Sequence, residues 1–223
     1  MEPIDIILVV WERPKLTEMT IRAIKQNTKP GTYNLIIMDN NQENIGLEAA
    51  RQKGLEQVKS KYFVCVDNDI LPQKIKDGKD WLEELVELMD KNPEYAAISA
   101  RTQIMIGTGN IFEGHEDEDI VGFPHPGGSL RIMRTQAVKD VGGWDRKAEG
   151  RGSEEKYICE KLRSGDWKTG FAVKVKCLHL FGDKETDRWG YPKDWTPEQT
   201  GHSDVYHPAL INGDDPEEIK EYL

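Results

Sequence analysis

The sequence predicts an α/β protein built on a mostly parallel, doubly wound sheet of the Rossmann-like kind. Four apolar runs, 4–10, 33–38, 61–66 and 95–100, are each of strand length and bounded by polar residues. Continuous apolar runs of this length are what strands buried on both faces look like. Between them lie segments with apolar residues at helical spacing, and strands alternating with helices over short joints imply parallel pairing. Three strands run directly into polar clusters, Trp11-Glu12-Arg13, Asp39-Asn40-Asn41 and Asp67-Asn68-Asp69. Ligands of such sheets sit at the carboxyl ends of the strands, so these clusters mark the expected site.

Taken in order, "IDIILVV" is the first strand, and Leu16, Met19, Thr20, Ala23 and Ile24 recur as one helix face until "KPG" ends the helix. "YNLIIM" reads as a second buried strand, and a helix over about 46–59 carries Leu47, Ala50, Gly54, Leu55 and Val58 on one side. "KYFVCV" is the third strand, which Pro72 stops from continuing. "DWLEELVELMDKN" is a strongly amphipathic helix with Asp80 as its N-cap, and "YAAISA" is the fourth strand. Residues 101–126, with the acidic run "EDED", read as a loop. Then come a short strand at 127–134, a short helix at 135–144, a helix at 153–163 capped by Ser153, and a strand at 170–180 alternating at period two. From Asp183 the chain is loop-like, apart from a final helix expected after Pro216.

The 223 residues fit one domain. The formal charge is −10, and from Asp183 onward 11 acids face 4 bases. No basic stripe exists to neutralise a phosphate backbone, which argues against nucleic acid as a partner. No apolar run approaches the ~18–20 residues of a membrane span, and the first residues lack the basic and small-residue features of a signal peptide. Three cysteines without CxxC spacing point to reduced thiols and a cytoplasmic setting.

Asp67-Asn68-Asp69 is a weak motif alone, since aspartate is favoured in turns. Its position at the ligand edge of a sheet, in a chain poor in phosphate-binding bases, suits a hard cation, Mn²⁺ or Mg²⁺. The order of features resembles the GT-A type nucleotide-sugar glycosyltransferases, especially their large inverting family with a D-x-D motif. "IDIILVVWERPKLTEMTIRAI", "LIIMDNNQ", "NIGLEAARQKG" and "YFVCVDNDILP" are similar in turn to its opening strand and helix, its base-binding strand, its N-x-G-x-x-x-A-R segment and its D-x-D strand. "GGSLRIMRTQAVKDVGGWD" and "GRGSEEKYICEKLRSG" resemble the acceptor strand and the acidic helix behind it. The likeness covers roughly 4–182.

The resemblance implies a catalytic domain over 1–182, with 1–100 binding the nucleotide-sugar and 101–182 the acceptor. The acidic tail 183–223, with Trp189, Tyr191 and Trp195, is then a candidate lid. It implies that Asp39 accepts a hydrogen bond from the base, although an Asx turn after the strand would use the same side chain. Trp11, Arg13, Asn44, Gly46, Arg51, Asp67 and Asn68 would complete the nucleotide-sugar site. Asp69, Asp67 and His179 would hold the metal. Glu155 matches the general base, with glutamate where aspartate is usual, and Glu154 would bind the acceptor or be the base one register earlier. Both acids would also complement a helix N-terminus. Arg131 or Arg134 could add charge.

The expected reaction is metal-dependent, inverting transfer of a sugar, from a UDP-sugar by preference or a GDP-sugar, to a hydroxyl of a glycan or other acceptor. Two rivals stand beside it: a non-catalytic sugar- or partner-binding protein on the same fold, and a nucleotidyltransferase. The latter would normally carry a glycine-rich basic loop where "VVWERPK" has no glycine.

Overall fold

The apolar run Ile4–Val10 forms β1, buried along its whole length and paired in parallel with β2 (Tyr33–Asp39) on one side and β3 (Tyr62–Asp67) on the other. The computed structural model describes residues 2–11, 13–74, 76–104, 110, 112–145, 153–180, 219–220 and 222–223. Within these, the remaining strands are β4 (Ile70–Pro72), β5 (Tyr95–Ile104), β6 (Ile120–Gly122), β7 (Leu130–Arg134) and β8 (Lys168–His179). The helices are α1 (Pro14–Asn27), α2 (Leu47–Gln57), α3 (Trp81–Lys91), α4 (Thr135–Asp140) and α5 (Ser153–Ser164). The sheet order is β2-β1-β3-β7-β5-β8-β4, with β6 on β8 beside β4.

β1, β2, β3, β5 and β8 share one direction, while β4, β6 and β7 run against it. The expected mostly parallel α/β sheet is therefore present. β7 is inserted antiparallel between β3 and β5, which binds the two halves of the chain into one sheet.

Helices cover both faces. Ile6 and Leu8 of β1 pack with Ile24 of α1 and Trp81, Leu85 and Met89 of α3. Ile7 and Val9 face the other way, onto Ala50 and Leu55 of α2, Val138 of α4 and Ile158 and Leu162 of α5. Gly54 lets α2 lie close to the sheet: a Cβ there would stand 2.7 Å from Ile7 Cγ2. Asp80 caps α3 as expected, accepting from Glu83 N at 2.8 Å, and also receives Lys29 N at 2.7 Å.

Several elements depart from the sequence reading. β2 is an edge strand, with Ile37 49% exposed, because no further strand or helix covers its outer side among the described residues. The chain does not leave the sheet at Pro72: Ile70–Pro72 pairs with Pro72 opposite Cys177 of β8. Proline is tolerated there because a sheet-edge position needs no second ladder bond. The expected loop 101–126 carries the end of β5 and all of β6. α4 stops at Asp140, and Gly142 and Gly143 follow in left-handed geometry.

Near the chain end, Ile219 and Tyr222 are buried against Leu16 and Met19 of α1, Leu71 of β4 and Leu178 of β8. Asn27 Nδ2 donates to the Tyr222 carbonyl at 2.7 Å. Of the lid expected of 183–223, residues 181–218 and 221 lie outside the described residues, as does the loop before α5, and Ser153, expected as the cap, is the first residue of α5.

Candidate functional site

The carboxyl ends of β1, β2, β3 and β8 and the start of antiparallel β7 lie along one edge of the sheet, and the N-terminus of α5 approaches it. Asp67 closes β3, and its backbone N–H is held by the Ser129 carbonyl at 3.0 Å. Asn68 and Asp69 form the tight link into β4. Asn68 is buried and turns inward: its Nδ2 donates to Thr17 Oγ1 at 3.0 Å and to the Trp11 carbonyl at 3.4 Å, tying the link to the β1–α1 turn. Trp11 thus touches the cluster through its backbone.

Asp69 is the centre of one charged group. Its Oδ2 receives Arg13 Nη1 at 2.8 Å and lies 3.3 Å from His179 Nε2, at the end of β8. Burial alone would lower the His179 imidazole, but the neighbouring Asp69 carboxylate outweighs it and raises the histidine above its ordinary value. Arg13 is held with φ 53° directly before Pro14. A left-handed, non-glycine residue is uncommon, and one before proline more so.

Arg51 is the centre of the second group. The α2 helix carries it to a depth where it is 1% exposed. One of its nitrogens donates to Asp67 Oδ1 at 2.8 Å, another donates to Glu154 Oε1, and the Gly128 carbonyl lies 3.5 Å away. Burial opposes its charge, but Glu154 and Asp67 keep the guanidinium firmly protonated. Burial pushes the Asp67 carboxyl up to about 7, against the pull of Arg51. A second buried cation, Arg131 of β7, stands 3.8 Å from Glu154 Oε2.

The two glutamates at the start of α5 therefore differ. Glu154 is buried on two guanidinium groups. Glu155 lies beside it, its Oε1 accepting from Gly128 N at 2.6 Å. Burial and then the Glu154 charge raise the Glu155 carboxyl above its ordinary value, against Arg131 and the Gly128 N–H.

The edge thus brings together Arg13, Asp69 and His179, and beside them Arg51, Asp67, Glu154 and Glu155. Asp39 and Asn44 serve their own turns: Asp39 Oδ1 accepts from Asn41 N at 2.8 Å and Asn44 Oδ1 from Gly46 N at 3.0 Å. Gly46 starts α2 at φ 87°, which explains a glycine there. Arg134 works elsewhere, donating to Met89 O and Tyr62 Oη at 3.2 Å each. Nothing in the sequence points to Gly128: it has no positive φ, and only its contacts reveal it. For Arg131 the sequence suggests only a source of charge, although an arginine inside "LRIMR", on the strand face that also holds Met133, is a visible signal of a buried cation.

Among the described residues no three His, Cys, Asp or Glu side chains converge to hold an ion, and no helix is long and apolar enough to cross a membrane. The protein groups nearest to a metal pair are Asp69 Oδ2 and His179 Nε2. Two ligands bound cis to one octahedral ion at ~2.1 Å stand about 3 Å apart, so the 3.3 Å separation fits a shared ion.

The fold matches solved structures. Residues 1–349 of S. aureus TarS superpose with a TM-score of 0.59 at 12% identity, over 79% of this chain and 60% of that one. The mannosyltransferase PcManGT from Pyrobaculum calidifontis, in complex with GDP-Man and Mn²⁺, gives 0.61 at 14% identity, over 81% of this chain and 57% of that one. The chain spans less than two thirds of either neighbour's length. No curated protein matches it. The family model described as glycosyl transferase family 2 matches residues 17–145, more than half of the sequence. The chain belongs to glycosyl transferase family 2, on the GT-A fold.

Proposed function

We propose that the protein transfers a sugar from a nucleoside-diphosphate donor, a UDP-sugar or a GDP-sugar, to an acceptor hydroxyl with inversion at the anomeric carbon. The observation that carries this reading is the Arg51 bridge. One buried guanidinium holds Asp67 at the end of β3 and Glu154 at the start of α5, so the donor-side and acceptor-side motifs are locked at a fixed spacing.

Asp69 and His179 are the groups that would hold a divalent ion, Mn²⁺ or Mg²⁺, and such an ion would supply charge to stabilise the departing diphosphate. Arg13, now on Asp69, lies where it can turn its charge to the same phosphates. Asp39 at the end of β2, and Asn44 and Gly46 in the turn between β2 and α2, are assigned to the base and ribose, with Trp11 flanking them. Asp67 and Asn68 shape the turn under the donor.

Glu155 is assigned the general base. Glu154 is committed to Arg51 and Arg131, whereas Glu155 is held by one backbone N–H. Its raised carboxyl brings the proton acceptor nearer neutral pH, where base catalysis is more effective. Glu155 takes the acceptor hydroxyl proton as that oxygen attacks the anomeric carbon. The bond from that carbon to the diphosphate oxygen breaks, and the electron pair leaves with the nucleoside diphosphate. One displacement with one base inverts the centre.

The test is incubation with Mn²⁺ and a panel of UDP-glucose, UDP-N-acetylglucosamine, UDP-galactose and GDP-mannose, with proton NMR to follow donor consumption and product anomer. Loss of one α-linked donor with a β-configured product, abolished by EDTA, is expected. A retained configuration would overturn the single-base mechanism, and no consumption of any donor would count against transfer itself.

A further inference from the structure

The turn before β7 carries two adjacent glycines in very different surroundings. A Cβ on Gly127 would meet nothing within 4 Å. On Gly128 it would stand 2.9 Å from Glu155 Oε1, 3.0 Å from Glu155 Cγ and 3.0 Å from Glu154 Oε1. Neither residue has positive φ, so the backbone asks for glycine at neither position. What position 128 requires is the room.

The turn is also pegged in place. Ser99 Oγ donates to the Gly127 carbonyl at 2.5 Å, and Asp67 N donates to the Ser129 carbonyl at 3.0 Å, so β5 and β3 hold it from both sides. It cannot retreat from α5 without breaking these bonds. The Gly128 N–H meets Glu155 Oε1 at 2.6 Å, while its carbonyl faces Arg51 at 3.5 Å. The Glu154 carboxylate, locked on Arg51, cannot give way cheaply. A methyl group at 128 would therefore displace Glu155.

We propose that Gly128 is a positioning residue for Glu155: its missing side chain makes the space that a glutamate carboxylate needs at this place, and its N–H fixes the direction in which that carboxylate points. The inference rests on Glu155 being the base. A glutamate reaches about 1.5 Å further than an aspartate, and that extra length is what meets the turn. Position 128 and the length of the acid at 155 are thus coupled.

The experiment is a double-mutant cycle of Gly128→Ala and Glu155→Asp, with Gly127→Ala as control and Glu155→Gln as reference. It is read by thermal melting, which needs no substrate, and by Mn²⁺-dependent hydrolysis of the same four sugar nucleotides. Gly128→Ala is expected to lower the melting temperature and to reduce kcat on the order of 10²-fold, the effect of a misplacement of ~1 Å. KM for the donor should hardly change. In the Glu155→Asp background the same substitution should change both quantities much less, and Gly127→Ala should change neither. Equal losses of melting temperature in both backgrounds, or none in either, would overturn the coupling whether or not a donor is hydrolysed. If Glu155→Gln leaves kcat intact, the base assignment fails. If Glu155→Gln is inactive but Gly128→Ala is not, only the positioning role fails.

Discussion

Replacing Arg51 by methionine keeps most of the buried stem and removes the charge that joins β3 to α5. Arg51 is 1% exposed and donates to Asp67 at 2.8 Å and to Glu154. Without it, two carboxylates from different elements face each other, with Arg131 3.8 Å from Glu154 as the nearest remaining cation on that residue. Deleting one partner of a buried ion pair costs about 3–5 kcal/mol. At ~2–4 °C per kcal/mol for a domain of this size, the melting temperature should fall by roughly 6–20 °C.

The loss should depend on pH with a definite sign. Asp67 already titrates at about 7 in the folded chain, against ~3.9 unfolded. The folded state therefore holds the extra proton between those values, and this group's contribution to stability falls as pH rises through that window. Arg51 pulls the Asp67 value down, so its removal raises that value and extends the fall to higher pH. The gap between variant and wild type should be widest above about pH 7 and should narrow toward pH 4, where protonation relieves the stranded charge. Thermal melts across that range read it directly. A variant melting within about 2 °C of wild type at the alkaline end, or a gap that does not narrow in acid, would refute the Arg51 bridge as a major tie.

Other outcomes follow from the same geometry. Glu155→Gln should reduce kcat by about 10²–10⁴-fold without changing nucleotide affinity in a calorimetric titration. The acid limb of the wild-type pH profile should lie above the ordinary glutamate range, since Glu155 is raised and must be ionised to act; a limb within that range would contradict its assignment. Arg13→Gln should bind Mn²⁺ alone about tenfold more tightly, because the guanidinium on Asp69 competes with the ion and a charge-assisted hydrogen bond is worth ~1.5–3 kcal/mol; unchanged affinity by electron paramagnetic resonance would remove Arg13 as a competitor. Gly54→Ala should destabilise by about 1–3 kcal/mol through overpacking onto Ile7, whereas a gain in urea midpoint would mean that α2 can shift freely.

Much of this architecture is legible in local pattern. "IDIILVV" is apolar enough to be a strand buried on both faces, and Asp80 before an amphipathic run is a cap that needs no tertiary information. The family resemblance groups Asp67, Asp69 and His179; of these Asp69 and His179 lie 3.3 Å apart, whereas Asp67 pairs with Arg51. What escapes pattern is what long-range pairing decides. "YNLIIM" has the composition of a central strand yet lies at the sheet edge, because nothing in its own residues states what its outer neighbour is. "ILP" becomes a strand only because β8 returns beside it. Glu154 and Glu155 are adjacent acids in sequence; two arginines from α2 and β7, more than 20 residues away along the chain, separate their surroundings. Gly128 is invisible for the same reason, since its requirement is the space taken by side chains of α5.

The most direct test of the central claim is calorimetric titration of the protein with UDP, GDP, CDP and dTDP, each with Mn²⁺ and again with EDTA, on wild type and on Asp69→Ala. One nucleotide binding in the presence of the ion, with the heat lost in EDTA and in Asp69→Ala, is the predicted result and names the base. Absence of binding by every nucleotide, or binding indifferent to both the ion and Asp69, would contradict a metal-dependent nucleotide-sugar site at this edge of the sheet.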